Sequence, residues 1–267
     1  MKTILRSIVN NKYLLLKLSL NEIKNRYFDT LGGVFWIFVH PLVFISLYWF
    51  VFSFGFKAMG PNDLNFIVYF LPAFISWLFF QETLLINVNC VQNYNHLIKK
   101  IFFPIEIIPM ISIFSSFIIH IFIFIISIVV IKINNSLVLS EKFFYIFFIQ
   151  LYLFLFCVGL SYFISALNIF IKDFGQFVTI LLNIWFWVTP IVWPLTIFSN
   201  NENFILSIIE SNPIFYVVEG YRFSLLEDYN LNFTIHDHFI FWLVNLFIFF
   251  IGLKVYSKLQ NDFAEVI

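Results

Sequence analysis

Glu82 is a carboxylate set well inside an apolar run of the sequence. A charge at such depth must pair with a neighbouring helix, reach the headgroups, or serve a function in the membrane. Glu219 and Arg222 are three residues apart, so on a helix they share one face and can form a polar pair. His236-Asp237-His238 offers either two imidazoles to a metal or a solvated loop before an apolar run. Between two apolar runs, Tyr94, His96, Leu97, Ile98, Lys99, Lys100 and Phe102 combine polar groups with apolar tips, the chemistry of a segment that docks in a partner's groove. The patterns G-x-x-x-x-G-K-[ST], H-E-x-x-H and G-x-S-x-G are all missing, so no P-loop, catalytic or metal site is assigned. Cys90 and Cys157 form no C-x-x-C and read as buried structural thiols.

The elements that must position these groups are membrane helices. Hydrophobic residues make up 61% of the 267 and charged residues 11%, against roughly a quarter charged in a soluble domain, so the chain is an integral membrane protein. Its zero net charge argues against a nucleic-acid partner and shifts attention to where the charges lie. The six spans predicted are 31–56, 66–90, 107–131, 143–170, 176–197 and 239–256, each able to cross a hydrocarbon layer of ~30 Å. Pro41 interrupts the first span, and Pro190 and Pro194 break the fifth.

Residues 1–29 are predicted as an amphipathic helix at the cytoplasmic interface, and early lysines exclude a signal peptide. Its apolar face holds Ile4, Leu5, Ile8, Val9, Leu15, Leu16 and Ile23, opposite Arg6, Asn10, Lys17, Asn21 and Lys24, with Lys12 snorkelling. The segment 199–238 is weakly apolar, and its two semi-apolar pieces are too short to cross, so they read as re-entrant outer helices. With both termini inside, Lys57, Lys132, Lys142 and Arg222 are the basic residues outside, and the other eleven of the 15 are inside. That asymmetry supports the orientation.

Several strings then resemble the permease subunits of ABC-2 type polysaccharide exporters. They are Arg26-Tyr27 through Gly32, Trp36 to Pro41, Tyr48 with Val51-Phe52, and Asn95 to Pro104. Leu167-Asn168-Ile169-Phe170 with Lys172-Asp173, Thr189-Pro190-Ile191 with Trp193-Pro194, and Asn212-Pro213 with Tyr221-Arg222 follow in the family's order. Lys172 stands where that family is expected to have Arg, which keeps the charge but loses the bidentate fork.

The resemblance implies an all-α polytopic permease in the bacterial inner membrane. It would work as a homodimer with two copies of a separate P-loop ATPase subunit, which carries the ATP and Mg, while this chain needs no cofactor. The substrate implied is a lipid-linked polysaccharide, O-antigen foremost, with capsule or teichoic acid chains as the other members of the class. Within it, the N-terminal helix and the segment from Tyr94 to Phe103 would face the ATPase and couple to it. Trp193, Tyr216, Glu219, Tyr221 and Arg222 would lie near the outer channel mouth, where sugar faces can stack on rings. Two other classes stay open at this stage: an intramembrane transferase or lipid-modifying enzyme using Glu219, Glu227 or Asp228, and an ATP-independent carrier or channel.

Overall fold

The computed structural model describes residues 2–27, 32–33, 35–98, 103–134, 136–137, 141–198, 203–227, 229–231 and 233–266. In lipid every backbone polar group must find its partner within the protein, which leaves the helix as the form open to a long apolar run. Among the described residues the apolar runs are helical, and the β-pairing is a single bridge between Leu137 and Leu226.

Two helices open the chain, α1 (Lys2–Asn10) and α2 (Lys12–Tyr27), where the sequence suggests one. At the junction Asn11 Nδ2 donates to the Ser7 carbonyl at 2.8 Å. The expected apolar face also splits. Ile4 and Leu15 are buried against the chain, whereas Leu5, Val9, Leu16 and Leu20 are exposed. What α2 turns inward is partly polar: Ser19 Oγ donates to the Ile111 carbonyl at 3.0 Å, and Glu22 and Arg26 follow on the same side. Hydroxyls and a carboxylate on the neighbouring spans draw that face in.

Next come α3 (Phe35–Phe50), continued by a π-helical turn at Val51–Gly55, and α4 (Phe66–Val88). After Asn89 the chain makes two short helices, α5 (Cys90–Asn93) and α6 (Asn95–Ile98). The spans α7 (Ile108–Ile133) and α8 (Tyr145–Phe170) follow, each led in by a short 3-10 turn. Then come α9 (Phe174–Val188), the short α10 (Asn203–Glu210) and α11 (Pro213–Leu225), the last span α12 (Ile235–Leu259), and a terminal turn α13 (Phe263–Val266).

Among the described residues five helices are long and apolar enough to cross a membrane, namely α3 with its π turn, α4, α7, α8 and α12. The expected fifth span at 176–197 is the shorter α9, whose 15 residues cover about 22 Å. The helix ends before Thr189-Pro190, because the residue ahead of proline is pushed out of helical geometry. His236-Asp237-His238 lies in the first turn of α12 and not in a loop, since Thr234 and Asp237 form a capping box there.

The core centres on α4, which packs against α7, α8 and α11. Phe80 stacks on Phe156 of α8 at 5.8 Å, and Phe79 meets Phe117 of α7 edge-on at 5.7 Å. Between α8 and α12 the backbones touch. A methyl group on Gly159 would lie 2.7 Å from the Phe249 Cα, and one on Gly252 would run into the Gly159 carbonyl. Asn245 Nδ2 also donates to the Tyr152 carbonyl at 2.8 Å across the same seam. Small residues let helices in lipid approach this closely. By contrast α3 is the least enclosed span, leaving Phe35, Trp36, Leu42, Val43, Leu47, Trp49 and Phe50 exposed.

Candidate functional site

On α3, Trp36, His40, Phe44 and Tyr48 recur every fourth residue. Residues four apart stack along one helix face. That stripe forms one wall of a cleft of about 600 Å³, opposed by Trp77, Gln81 and Glu82 of α4 and by Asn183, Phe186 and Trp187 of α9. A second hollow of about 490 Å³ shares Phe44, Tyr48 and Trp187 and continues to Phe52 and Phe56. Together they make a groove along α3 from Trp36 to Phe56, some twenty residues or ~30 Å at the rise of a helix. That matches the depth of a bilayer's hydrocarbon core.

Tyr48 sits at the groove's middle, its ring 5.4 Å from Phe70, 5.6 Å from Phe74 and 5.7 Å from Phe186. The walls are not wholly apolar. Trp77 Nε1 donates to Gln81 Oε1 at 3.0 Å, which fixes that amide in the cleft wall.

Glu82 marks the end of the groove nearest α2. Arg26 Nη1 donates to Glu82 Oε1 at 3.0 Å, and Arg26 Nη2 reaches Glu22 Oε1 at 2.9 Å and Ser115 Oγ at 3.3 Å. Glu22 Oε2 in turn accepts from Ser112 Oγ at 3.2 Å and from the Tyr94 hydroxyl at 3.5 Å. Burial, and after it the Glu22 carboxylate, holds the Tyr94 phenol above its ordinary pKa, so it stays protonated as a donor. Four elements therefore meet in one polar cluster: α2, α4, α7 and the turn between α5 and α6.

Of the segment expected to couple to a partner, Lys99, Lys100 and Phe102 lie outside the described residues. His96 is exposed and Leu97 half-buried. Ile98 and Tyr94 pack on the chain's own cluster of Ile4, Cys90, Val91 and Ile108, so Ile98 is half-buried and not the free tip that the sequence suggests. Asn168 of α8 fastens the start of this segment, donating from Nδ2 to the Val88 carbonyl at 2.8 Å and to Asn89 Oδ1 at 3.0 Å.

At the far end of the bundle the chain gathers a second cluster. Arg222 is fully buried, with Nη1 on Glu219 Oε1 at 2.8 Å and Nη2 on the Pro190 and Ile191 carbonyls at 2.8 and 3.0 Å. Its Nε donates to the Tyr69 carbonyl at 3.2 Å. Tyr229 donates to Glu219 Oε2 at 2.7 Å, and burial keeps that phenol protonated by raising its pKa despite the opposite pull of Arg222. Asn212 caps α11 through Ile214 N at 2.9 Å while its Nδ2 donates to Thr189 Oγ1 at 2.9 Å. Thr189-Pro190, Asn212 and Arg222, far apart in sequence, are thus one structural joint.

The aromatics expected at an outer mouth do not line an open surface of the chain. Tyr216 and Tyr221 are fully buried, bonded to His238 Nδ1 at 2.8 Å and His120 Nε2 at 3.0 Å. Trp193 is half-buried and packs edge-on against Phe198. Glu219 is engaged by Arg222 and Tyr229, and Asp228 lies outside the described residues.

The profile of the ABC-2 type transporter family matches residues 13–226, most of the chain and every element just described except α1 and α12–α13. The chain belongs to the ABC-2 type transporter family. Among similar proteins are two O-antigen export system permease proteins RfbA of Klebsiella pneumoniae, each 24% identical over 257 residues, or 95% of either chain. The protein of that name from Myxococcus xanthus is 21% identical over 222 residues, 82% of each chain. As an ABC-2 transporter the chain is a multi-pass membrane protein that works with an ATPase subunit in an exporter.

Proposed function

We propose that this chain is the permease of an ATP-driven exporter that carries a lipid-linked polysaccharide of the O-antigen kind from the cytoplasm across the inner membrane. Two copies work with two copies of a separate P-loop ATPase, and the termini face the cytoplasm. The groove along α3 is one half of the passage, which the second copy completes. The observation that carries this reading is the aromatic stripe Trp36, His40, Phe44 and Tyr48, which runs along a groove of membrane depth and faces amides. Sugar rings stack on such side chains through their C–H faces, and amides bond their hydroxyls. The names of the Klebsiella and Myxococcus relatives agree with it.

The test is complementation. A strain that lacks its own exporter receives this chain with its cognate ATPase, and polymer at the cell surface is measured. Trp36 and Trp187 are 48% and 55% exposed, so replacing both by Ala removes groove wall at little cost to the core. The expected result is polymer at the surface with the native chain and polymer held inside with the double variant at equal permease abundance. Equal export by the two would take the groove out of the passage.

A further inference from the structure

We infer that the passage takes a glycan whose repeats carry no negative charge, and that Glu82 is the residue that turns anionic polymers away. The inference rests on the proposed export role and names the substrate class for the same groove. Its ground is the charge inventory of the walls. Among the described residues lining the two hollows, the ionisable acids and bases are Glu82 and His40, and Tyr48 adds a phenol; neither Lys nor Arg lines them.

The one guanidinium nearby is Arg26, and its two terminal nitrogens are already engaged by Glu82, Glu22 and Ser115. Among the described residues of this cluster, two carboxylates stand against one guanidinium, a balance of one negative charge. The side walls are aromatic and aliphatic, so the field of that charge is poorly screened by solvent. A polymer with a uronate or phosphate in each repeat would bring an anion past Glu82 at every step and find no Lys or Arg among the described lining residues to pair with. Placing like charges together is a recognised way to reject a wrong partner. A neutral glycan meets groups suited to it: the rings of Trp36 and Trp187, the fixed amide of Gln81 and the amide of Asn183.

The experiment supplies two polymers on the same lipid carrier to cells that contain only this permease and its ATPase. One has neutral hexose repeats, and the other has a uronate in each repeat. Surface polymer is measured per permease molecule, and the neutral-to-anionic ratio is the readout. The native chain is expected to favour the neutral polymer by about tenfold or more. In Glu82→Gln that ratio should fall by about the same factor, whatever the total export. Because the native chain alone reports selection, the test does not hang on the variant's folding. Comparable export of both polymers by the native chain overturns the inference. An unchanged ratio in Glu82→Gln also overturns it, since the selecting group then lies elsewhere or the groove is filled by lipid or the second copy. Export of neither polymer overturns the export role, and this inference with it.

Discussion

The Arg222 guanidinium carbon lies 3.6 Å from the centre of the Tyr69 ring, so α11 is fastened to α4 by a cation resting on an aromatic face. The same side chain pairs with Glu219 and holds the carbonyls of Tyr69, Pro190 and Ile191. A guanidinium with this many fixed partners and no exposure is a strut. Arg222→Ala should therefore cost ~3–5 kcal/mol, because it takes the counterion from Glu219 and a donor from three carbonyls. Arg222→Lys should recover only part, since an ammonium lacks the planar fork. The measurement is thermal unfolding of the purified protein together with membrane abundance. Export should fall in step with abundance; loss of export at full abundance would instead make Arg222 a gate.

Arg26 is the counterion of Glu82. Arg26→Ala leaves Glu82 without its counterion and Glu22 with only the Ser112 and Tyr94 hydroxyls, and is expected to cost ~1.5–3 kcal/mol of stability. Adding Glu82→Gln removes one stranded charge, so the double variant should melt above Arg26→Ala alone. A double variant no more stable than the single one would show that the pair contributes little.

The seam between α8 and α12 predicts a sharp size limit. Gly252→Ala puts a methyl group into the Gly159 carbonyl, and the helices must separate to hold it. The expected penalty is ~1–3 kcal/mol, read as a lower melting temperature and lower abundance. Gly55 offers a control, because nothing stands within 4 Å of its added methyl. Gly55→Ala should be tolerated by the fold.

Coupling to the ATPase can be probed at Leu97, which is less engaged with the chain's own core than Ile98. Leu97→Asp should leave insertion and melting temperature near native, while export and permease-stimulated ATP hydrolysis drop by about tenfold, the usual effect of losing one apolar anchor of a docking surface. Native stimulation in that variant would move the contact away from α6.

Much of the fold is legible in the sequence because lipid imposes helices on long apolar runs, and the polar stretches between them mark where one run ends and the next begins. Residues 203–225 read as two short helices for the same reason, being too brief to cross. The joint at Thr189-Pro190, Asn212 and Arg222 shows where the reading stops. Its members stand out by type, but their convergence depends on how α4, α9 and α11 pack, which no local pattern records. Tyr216 and Tyr221 are enclosed by that packing, so side chains that look like an outer rim are interior. The groove is hidden differently. The spacing of Trp36, His40, Phe44 and Tyr48 is visible, but α3 is apolar on all sides, and such a helix does not announce which side faces a hollow.

At Gly159 and Gly252 the α8 and α12 backbones meet with no side chain between them, and aromatic pairs such as Tyr152–Trp242 and Tyr162–Tyr256 lock the rest of the seam, so these helices do not slide at low cost. They form a stiff frame. The span α3 is attached quite differently, through the Tyr48 ring on Phe70, Phe74 and Phe186 and through Phe38 on Phe122. Under the proposed coupling at Tyr94, a push from the ATPase meets a stiff wall on one side and a compliant one on the other. Widening the passage then asks the bundle to give up few contacts, all of them along the wall that α3 provides.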